Sequence, residues 1–195
     1  MSDTVLYVVV CGCPAAVGVT DFVKQVQADG WNTCVIATPM GSRFINSEEL
    51  SQLTGHPVRT TYKHPDEPDV LPPAKAIVVA PATFNTVNKL ANGITDTLAA
   101  GITCEGIGLG IPVIVAPSIN AALARHGAFR RSLGYLTDYG VKLVLNPQPN
   151  TESRSAVNQG SEFPWHIVRQ LLTDVQSLQL RSDASTRDSA NGTFA

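Results

Sequence analysis

Charge is scarce in this chain: Asp, Glu, Lys and Arg make up 15% of its 195 residues, and the formal net charge is −2. So little excess charge leaves no basic stripe for nucleic acid and no cationic face for an acidic membrane surface. Cysteine is scarce too. The four present (Cys11, Cys13, Cys34 and Cys104) are too few, and too apolar in context, for a disulfide scaffold. Cys11 and Cys13 form a C-x-C pair without a neighbouring histidine or second cysteine pair, so they read as small hydrophobes at a strand end rather than as metal ligands. Long hydrophobic runs are missing as well. The longest nearly apolar stretch, residues 5–19, is broken by Gly12 and Pro14 and is too short to span a bilayer. Met1-Ser2-Asp3-Thr4 lacks the basic start of a secretory signal. The expectation is a reduced, cytoplasmic protein with no metal and no nucleic-acid or membrane partner.

What is present is a rhythm. Apolar runs at 5–12, 33–38, 76–81, 112–117 and 141–146 alternate with helical patterns at 20–30, 47–55, 87–102 and 121–140. β-branched runs without polar alternation indicate strands buried on both faces, as in a parallel sheet. Strand then helix, repeated, predicts a single-domain α/β fold, a three-layer doubly wound parallel sheet of Rossmann or flavodoxin-like type. Gly30, Gly55 and Gly140 stand where helices should end. Residues 56–75 carry five prolines and predict a loop. The main domain is placed at 1–150, followed by an extension at 151–180 whose amphipathic helix (163–180) follows Phe163 and Trp165. Its stripe, Val168, Leu171, Leu172, Val175 and Leu178, packs on the body or on a neighbouring subunit. Residues 181–195 read as a disordered tail.

In sheets of this type ligands bind outside the carboxyl ends of the strands. The segments to search are therefore 12–18, 38–44, 81–86 and 117–123, all rich in small and hydroxyl- or amide-bearing residues. "GCPAAVG" offers Gly12 for a tight turn and a helix start for an anion. "PATFNT" places Thr83, Asn85 and Thr86 at the entry of another helix. One N-cap needs one such residue, and three are present. A cap and a ligand both remain open on these grounds.

The stretch "PATFNTVNKLANGITDTLA" (81–99) resembles the signature of the homo-oligomeric flavin-containing cysteine decarboxylases, P-A-S-A-N-T followed by a helix K-[LI]-A-N-G-[IL]-C-D-N-L. "TPMGSRFINSEELSQLTG" and "PSINAALARHGAFRRSLGYLTDYG" resemble that family's second loop and its P-x-M-N-x-x-M-W element, so the likeness covers roughly residues 5–147. It implies FMN as cofactor, with the phosphate near Gly12. Gly41, Ser42 and Phe44 would line the second loop, and Thr83, Phe84, Asn85 and Thr86 would hold the ribityl-phosphate and ring edge. Asn120 would recognise the substrate carboxylate and reacting sulfur. The implied reaction oxidises a terminal cysteine thiol to a thioaldehyde, an electron sink for loss of carbon dioxide that yields an ene-thiol. The implied substrate is a small molecule or peptide ending in cysteine, and the implied assembly a trimer or multiple of three.

Some positions depart from the pattern. The family's histidine lies fourteen residues before the motif proline, where this chain has Glu67; a three-residue insertion before Ala74 makes His64 the candidate base. His56, His126 and His166 have lesser claims, His126 reading as a solvated residue beside Arg125, Arg130 and Arg131. Ile119, Leu123 and Ala124 replace Met, Met and Trp, and no cysteine follows Cys104 to reduce an ene-thiol. Peptide C-terminal decarboxylation is therefore favoured over the phosphopantothenoylcysteine route. A flavin prenyltransferase is disfavoured because Phe84 and Asn85 stand where a lysine is usual. A non-catalytic flavin-binding subunit is the alternative.

Overall fold

A computed structural model describes residues 4–64, 66–68, 70–145 and 163–191, with 179–191 described for the backbone only. Five parallel strands, β1 (Val5–Val10), β2 (Asn32–Ala37), β3 (Ala76–Ala82), β4 (Val113–Pro117) and β5 (Lys142–Leu143), lie in the order β2-β1-β3-β4-β5. This is the flavodoxin-like doubly wound order, as the rhythm predicts. At the centre Val8 stands opposite Val35 of β2 and Val78 of β3.

The strands are apolar on both faces because both faces are covered. Leu6, Val8 and Val10 point into a core shared with Phe22, Val23 and Val26 of α1 (Val19–Ala28), Leu50 of α2 (Ser47–Thr54) and Val168 and Leu172 of the C-terminal helix. Tyr7, Val9 and Cys11 point the other way, against Val87 and Leu90 of α3 (Phe84–Ala91), Leu98 of α4 (Leu98–Gly108), and Phe129 and Leu136 of α6 (Gly127–Asp138). Each fully buried aliphatic side chain contributes about 1.5–3 kcal/mol of transfer free energy. Gly30, Gly55 and Gly140 take positive φ (94°, 71° and 81°) at the three helix ends, as expected.

Two helical patterns divide. The run 87–102 breaks between Ala91 and Leu98, where Gly93 turns to φ 65° and Thr97 caps the next helix by accepting from the Ala100 N–H. A Lys89–Asp96 ion pair at 2.7 Å closes that turn. The run 121–140 divides into α5 (Ala121–Ala124) and α6, because His126 is itself the cap of α6. Both breaks arise where a side chain offers the backbone an alternative to the helical hydrogen bond.

The C-terminal helix α7 (Trp165–Asn191) packs on the body of its own chain. Val168, Leu172 and Val175 are buried, whereas Leu178 is exposed. Trp165 packs on Phe22 and Phe163, with ring centroids 4.8 and 4.6 Å away. The helix passes the expected end at 180 and continues to Asn191; residues 181–191 contain no glycine or proline to stop it. Residues 192–195 of the expected tail and the domain boundary near 150 lie outside the described residues. Among the described residues no helix is long and apolar enough to cross a membrane.

Candidate functional site

In a 2-1-3-4-5 sheet the connections from β1 and β3 leave in opposite directions, opening a crevice at their carboxyl ends. Four loops meet around it. The Cys11 N–H donates to the Pro81 carbonyl at 3.2 Å, tying the exit of β1 to the exit of β3. The Thr38 N–H donates to the Val10 carbonyl (2.9 Å), and the Ser118 N–H donates to Ala82 (2.8 Å), so the β2 and β4 loops are drawn to the same edge. The Ala80–Pro81 peptide is cis.

The first two loops touch through glycines. A Cβ on Gly12 would stand 2.5 Å from Cγ of Met40 and 3.0 Å from its backbone carbon, and a Cβ on Gly41 would collide with the Val10 carbonyl oxygen. Gly41 also donates its N–H to Oγ1 of Thr38 at 3.0 Å. Ser42 donates its hydroxyl to the Pro39 carbonyl (3.0 Å), while Phe44 leaves its ring exposed.

The third loop divides its polar groups. Thr83 is the cap of α3, its Oγ1 accepting from the Thr86 N–H at 3.4 Å. Thr86 is buried, with its hydroxyl 3.1 Å from that of Thr83 and 3.3 Å from the Cys11 thiol, which donates to it. Asn85 is exposed, and its amide has no hydrogen-bond partner among the described residues. Cap and free polar group thus coexist in six residues. Phe84 turns toward α6, stacked on Phe129 (centroids 6.2 Å) and meeting the His126 ring edge-on at 5.7 Å.

In the fourth loop Asn120 caps α5 by accepting the Leu123 N–H on Oδ1 at 2.9 Å, which leaves its Nδ2 group uncommitted. Burial pushes the thiols of Cys11 and Cys13 up, so both are neutral spacers under the loops rather than nucleophiles.

His64 stands apart. Its side chain is 68% exposed, with Nδ1 3.2 Å from the Asp66 carboxylate, and its N–H donates to Glu67 within the same turn. Among the described residues no hydrogen bond, ion pair or ring contact joins its side chain to the four loops. Two neighbours of the site escaped the sequence reading, Met40, which closes on Gly12, and Phe129, which backs Phe84; His126 is exposed, as expected, and its ring also meets the motif at Phe84. A histidine directly before Gly127 at the start of an apolar helical pattern was the available sign of a cap. A cavity of about 610 Å³ lies elsewhere, on the flank between the proline-rich segment, α4 and the sheet, lined by Tyr7, Ile77, Leu98 and Ile102. Among the described residues no cluster of three or more metal-ligating side chains occurs.

Comparison with known proteins defines the class. The Flavoprotein family model matches residues 1–173, and this chain belongs to that family. It is 35% identical over 153 residues to the coenzyme A biosynthesis bifunctional protein CoaBC of Bacillus subtilis, covering 75% of this chain and 36% of that protein. This chain therefore spans little more than a third of that relative. It is 25% identical over 158 residues to a probable phosphopantothenoylcysteine decarboxylase of Streptococcus mutans, covering 78% of this chain and 86% of the relative. Among solved structures, the FMN-dependent cysteine decarboxylase TvaF from thioviridamide biosynthesis is similar at TM-score 0.65 and 27% identity, covering 72% of this chain and 89% of that one. The family resemblance carried by residues 81–99 is thereby borne out.

Proposed function

We propose that this chain binds FMN at the four strand-end loops and catalyses oxidative decarboxylation of a cysteine-bearing carboxylate, a peptide ending in cysteine, to an ene-thiol. The observation that carries the proposal is the make-up of the four strand-end loops at the β1–β3 switch point. Exposed Val17, Met40, Phe44 and Leu123 offer apolar surface from the first, second and fourth loops, and the unpartnered Asn85 amide stands on the third. An aromatic ring with a polar edge fits such a lining. Gly12, Gly41, Ser42 and Phe44 would hold the cofactor from the first two loops, and Thr83, Phe84, Asn85 and Thr86 from the third. FMN, when bound, supplies the two-electron acceptor that a cysteine side chain lacks.

The chain's own residues orient the substrate and move its protons. Asn120, with Oδ1 committed to its cap, presents only N–H donors, which suit the substrate carboxylate and sulfur. His64 is assigned the proton-accepting role, as the histidine that the family resemblance points to. A cytoplasmic homo-oligomer, a trimer or a multiple of three, completes the proposal.

The isolation of His64 favours a second reading, an FMN-binding protein without catalysis. The test begins with visible absorbance after FMN loading. The loaded protein is then mixed anaerobically with cysteine-terminated peptides and, separately, with phosphopantothenoylcysteine. Loss of flavin colour with a peptide, with a mass loss of carbon dioxide plus two hydrogens, is the expected result. Decolouration with phosphopantothenoylcysteine alone would replace the peptide assignment, and persistent colour with every thiol leaves the binding role. Refusal of FMN overturns both.

A further inference from the structure

His126 and Asn120 bracket the short helix α5, and each spends one side-chain atom on a cap. Asn120 accepts the Leu123 N–H on Oδ1 at 2.9 Å; His126 accepts the Ala128 N–H on Nδ1 at 3.1 Å. A ring nitrogen that accepts carries no proton, so the neutral ring of His126 is held as the Nε2–H tautomer. What remains outward on both residues is a donor. His126 is exposed, and its Nε2 has no partner among the described residues. Its ring meets Phe84 at 5.7 Å, which places it against the loop that carries the flavin motif.

The charge around it has one sign. Arg125, Arg130 and Arg131 are exposed, and none pairs with a carboxylate among the described residues. Arg131 folds back over the first turn of α6, its Nη1 3.6 Å from where a Cβ on Gly127 would stand. Donors without acceptors, and cations without counter-ions, make a surface complementary to an anion.

We propose that His126 is a substrate-binding residue of this site, donating from Nε2 to the carboxylate of the terminal cysteine, with Arg131 supplying charge beside it. This rests on the FMN-dependent decarboxylase reading above and assigns a residue to its substrate recognition.

His126→Asn isolates the donor, because asparagine is among the best N-caps and keeps the Ala128 N–H satisfied. FMN-loaded wild-type and variant proteins are titrated calorimetrically with an acetylated tripeptide ending in serine, which cannot be oxidised as a thiol is. The peptide is used as free acid and as C-terminal amide, with phosphopantothenoyl-serine as a third ligand. Wild type binds the acid about tenfold or more tighter than the amide. His126→Asn loses about tenfold on the acid and nothing on the amide, with FMN content unchanged. An unaltered acid-to-amide ratio in the variant overturns the proposal. So does a wild type that fails to tell acid from amide, or a loss confined to phosphopantothenoyl-serine, which would move the anion to its phosphate. Refusal of FMN by the wild type overturns the decarboxylase reading together with this one. Thiol-dependent decolouration that is intact, with His126→Asn indistinguishable in the titrations, overturns this one alone.

Discussion

Cys11 and Thr86 meet side chain to side chain across the β1–β3 switch point, the buried thiol donating to the threonine hydroxyl at 3.3 Å. Thr83 extends the link, its hydroxyl 3.1 Å from that of Thr86. The exit of β1 and the start of α3 are therefore tied side chain to side chain, and both belong to the candidate flavin site. Thr86→Val keeps the shape and removes the shared hydroxyl. We expect a loss of about 1 kcal/mol in urea unfolding and weaker FMN uptake in fluorescence titration. A variant that matches wild type in both would show the link to be incidental.

The cysteines make stability fall at high pH. Burial pushes the Cys34 thiol up to about 12, and it raises Cys11, Cys13 and Cys104 in the same direction. In the unfolded chain such thiols ionise near pH ~8.5. Above that pH the folded state holds more protons than the unfolded one, so stability declines as pH rises. The contribution is fully present below the unfolded value and is lost as pH climbs through the folded values. Urea midpoints should drop between pH 8 and pH 10, and Cys34→Val should flatten part of that drop. Equal slopes for the two proteins would contradict the assignment to Cys34.

Gly41→Ala tests the contact between the first two loops. Its Cβ would overlap the Val10 carbonyl oxygen, a backbone atom that cannot rotate away. Overpacking of this kind costs about 1–3 kcal/mol. The expected outcome is a lower Tm together with weakened FMN binding. Gly108→Ala is the control: nothing lies within 4 Å of its added Cβ, so its Tm should be little changed.

Much of this was legible in the sequence because parallel strands buried on both faces advertise themselves as unbroken β-branched runs. The runs at 5–10 and 76–80 became the central pair, and Gly55 and Gly140 ended helices where their conformational freedom predicts. The interruptions within helical patterns were less legible. The periodicity of 121–140 does not mark His126 as a cap; its place directly before Gly127 is the one sign, and being exposed does not distinguish a capping histidine from any other. The same ambiguity hid the contact between His126 and Phe84, which depends on the turn that the cap creates. His64 shows the reverse limit: alignment by motif spacing fixes its place in the chain, whereas reach toward the site depends on a proline-rich loop whose course no periodicity encodes.

Among the described residues, helix α7 is held by an apolar stripe and by the Arg169–Asp29 ion pair. Leu172 is buried, so Leu172→Ala should cost about 2–5 kcal/mol. Leu178→Ala, at an exposed position, should stay within about 0.5 kcal/mol of wild type. Arg169 donates to both oxygens of Asp29 at 2.7 Å and holds that carboxyl below its ordinary value. A lowered carboxyl adds stability that is present above the unfolded pKa and is lost as pH falls through the folded one. Arg169→Ala should therefore lower Tm at pH 7, with the difference narrowing as the medium is acidified below pH ~4. A difference that persists in acid would assign the effect to packing of the arginine stem.

Asn120→Asp separates folding from recognition at the fourth loop. Aspartate caps a helix as well as asparagine does, so the Leu123 N–H remains satisfied and Tm should not change. What changes is the uncommitted atom: an N–H donor becomes a carboxylate oxygen facing a substrate that is itself a carboxylate. Loss of a hydrogen bond to a charged group, with like-charge repulsion added, should lower kcat/KM for a cysteine-terminated peptide by about a hundredfold or more. FMN uptake should be unaffected, because the change lies on the substrate side of the assignment. Rapid mixing of the loaded variant with peptide, followed by flavin absorbance, measures the rate. A variant as fast as wild type would remove Asn120 from the site.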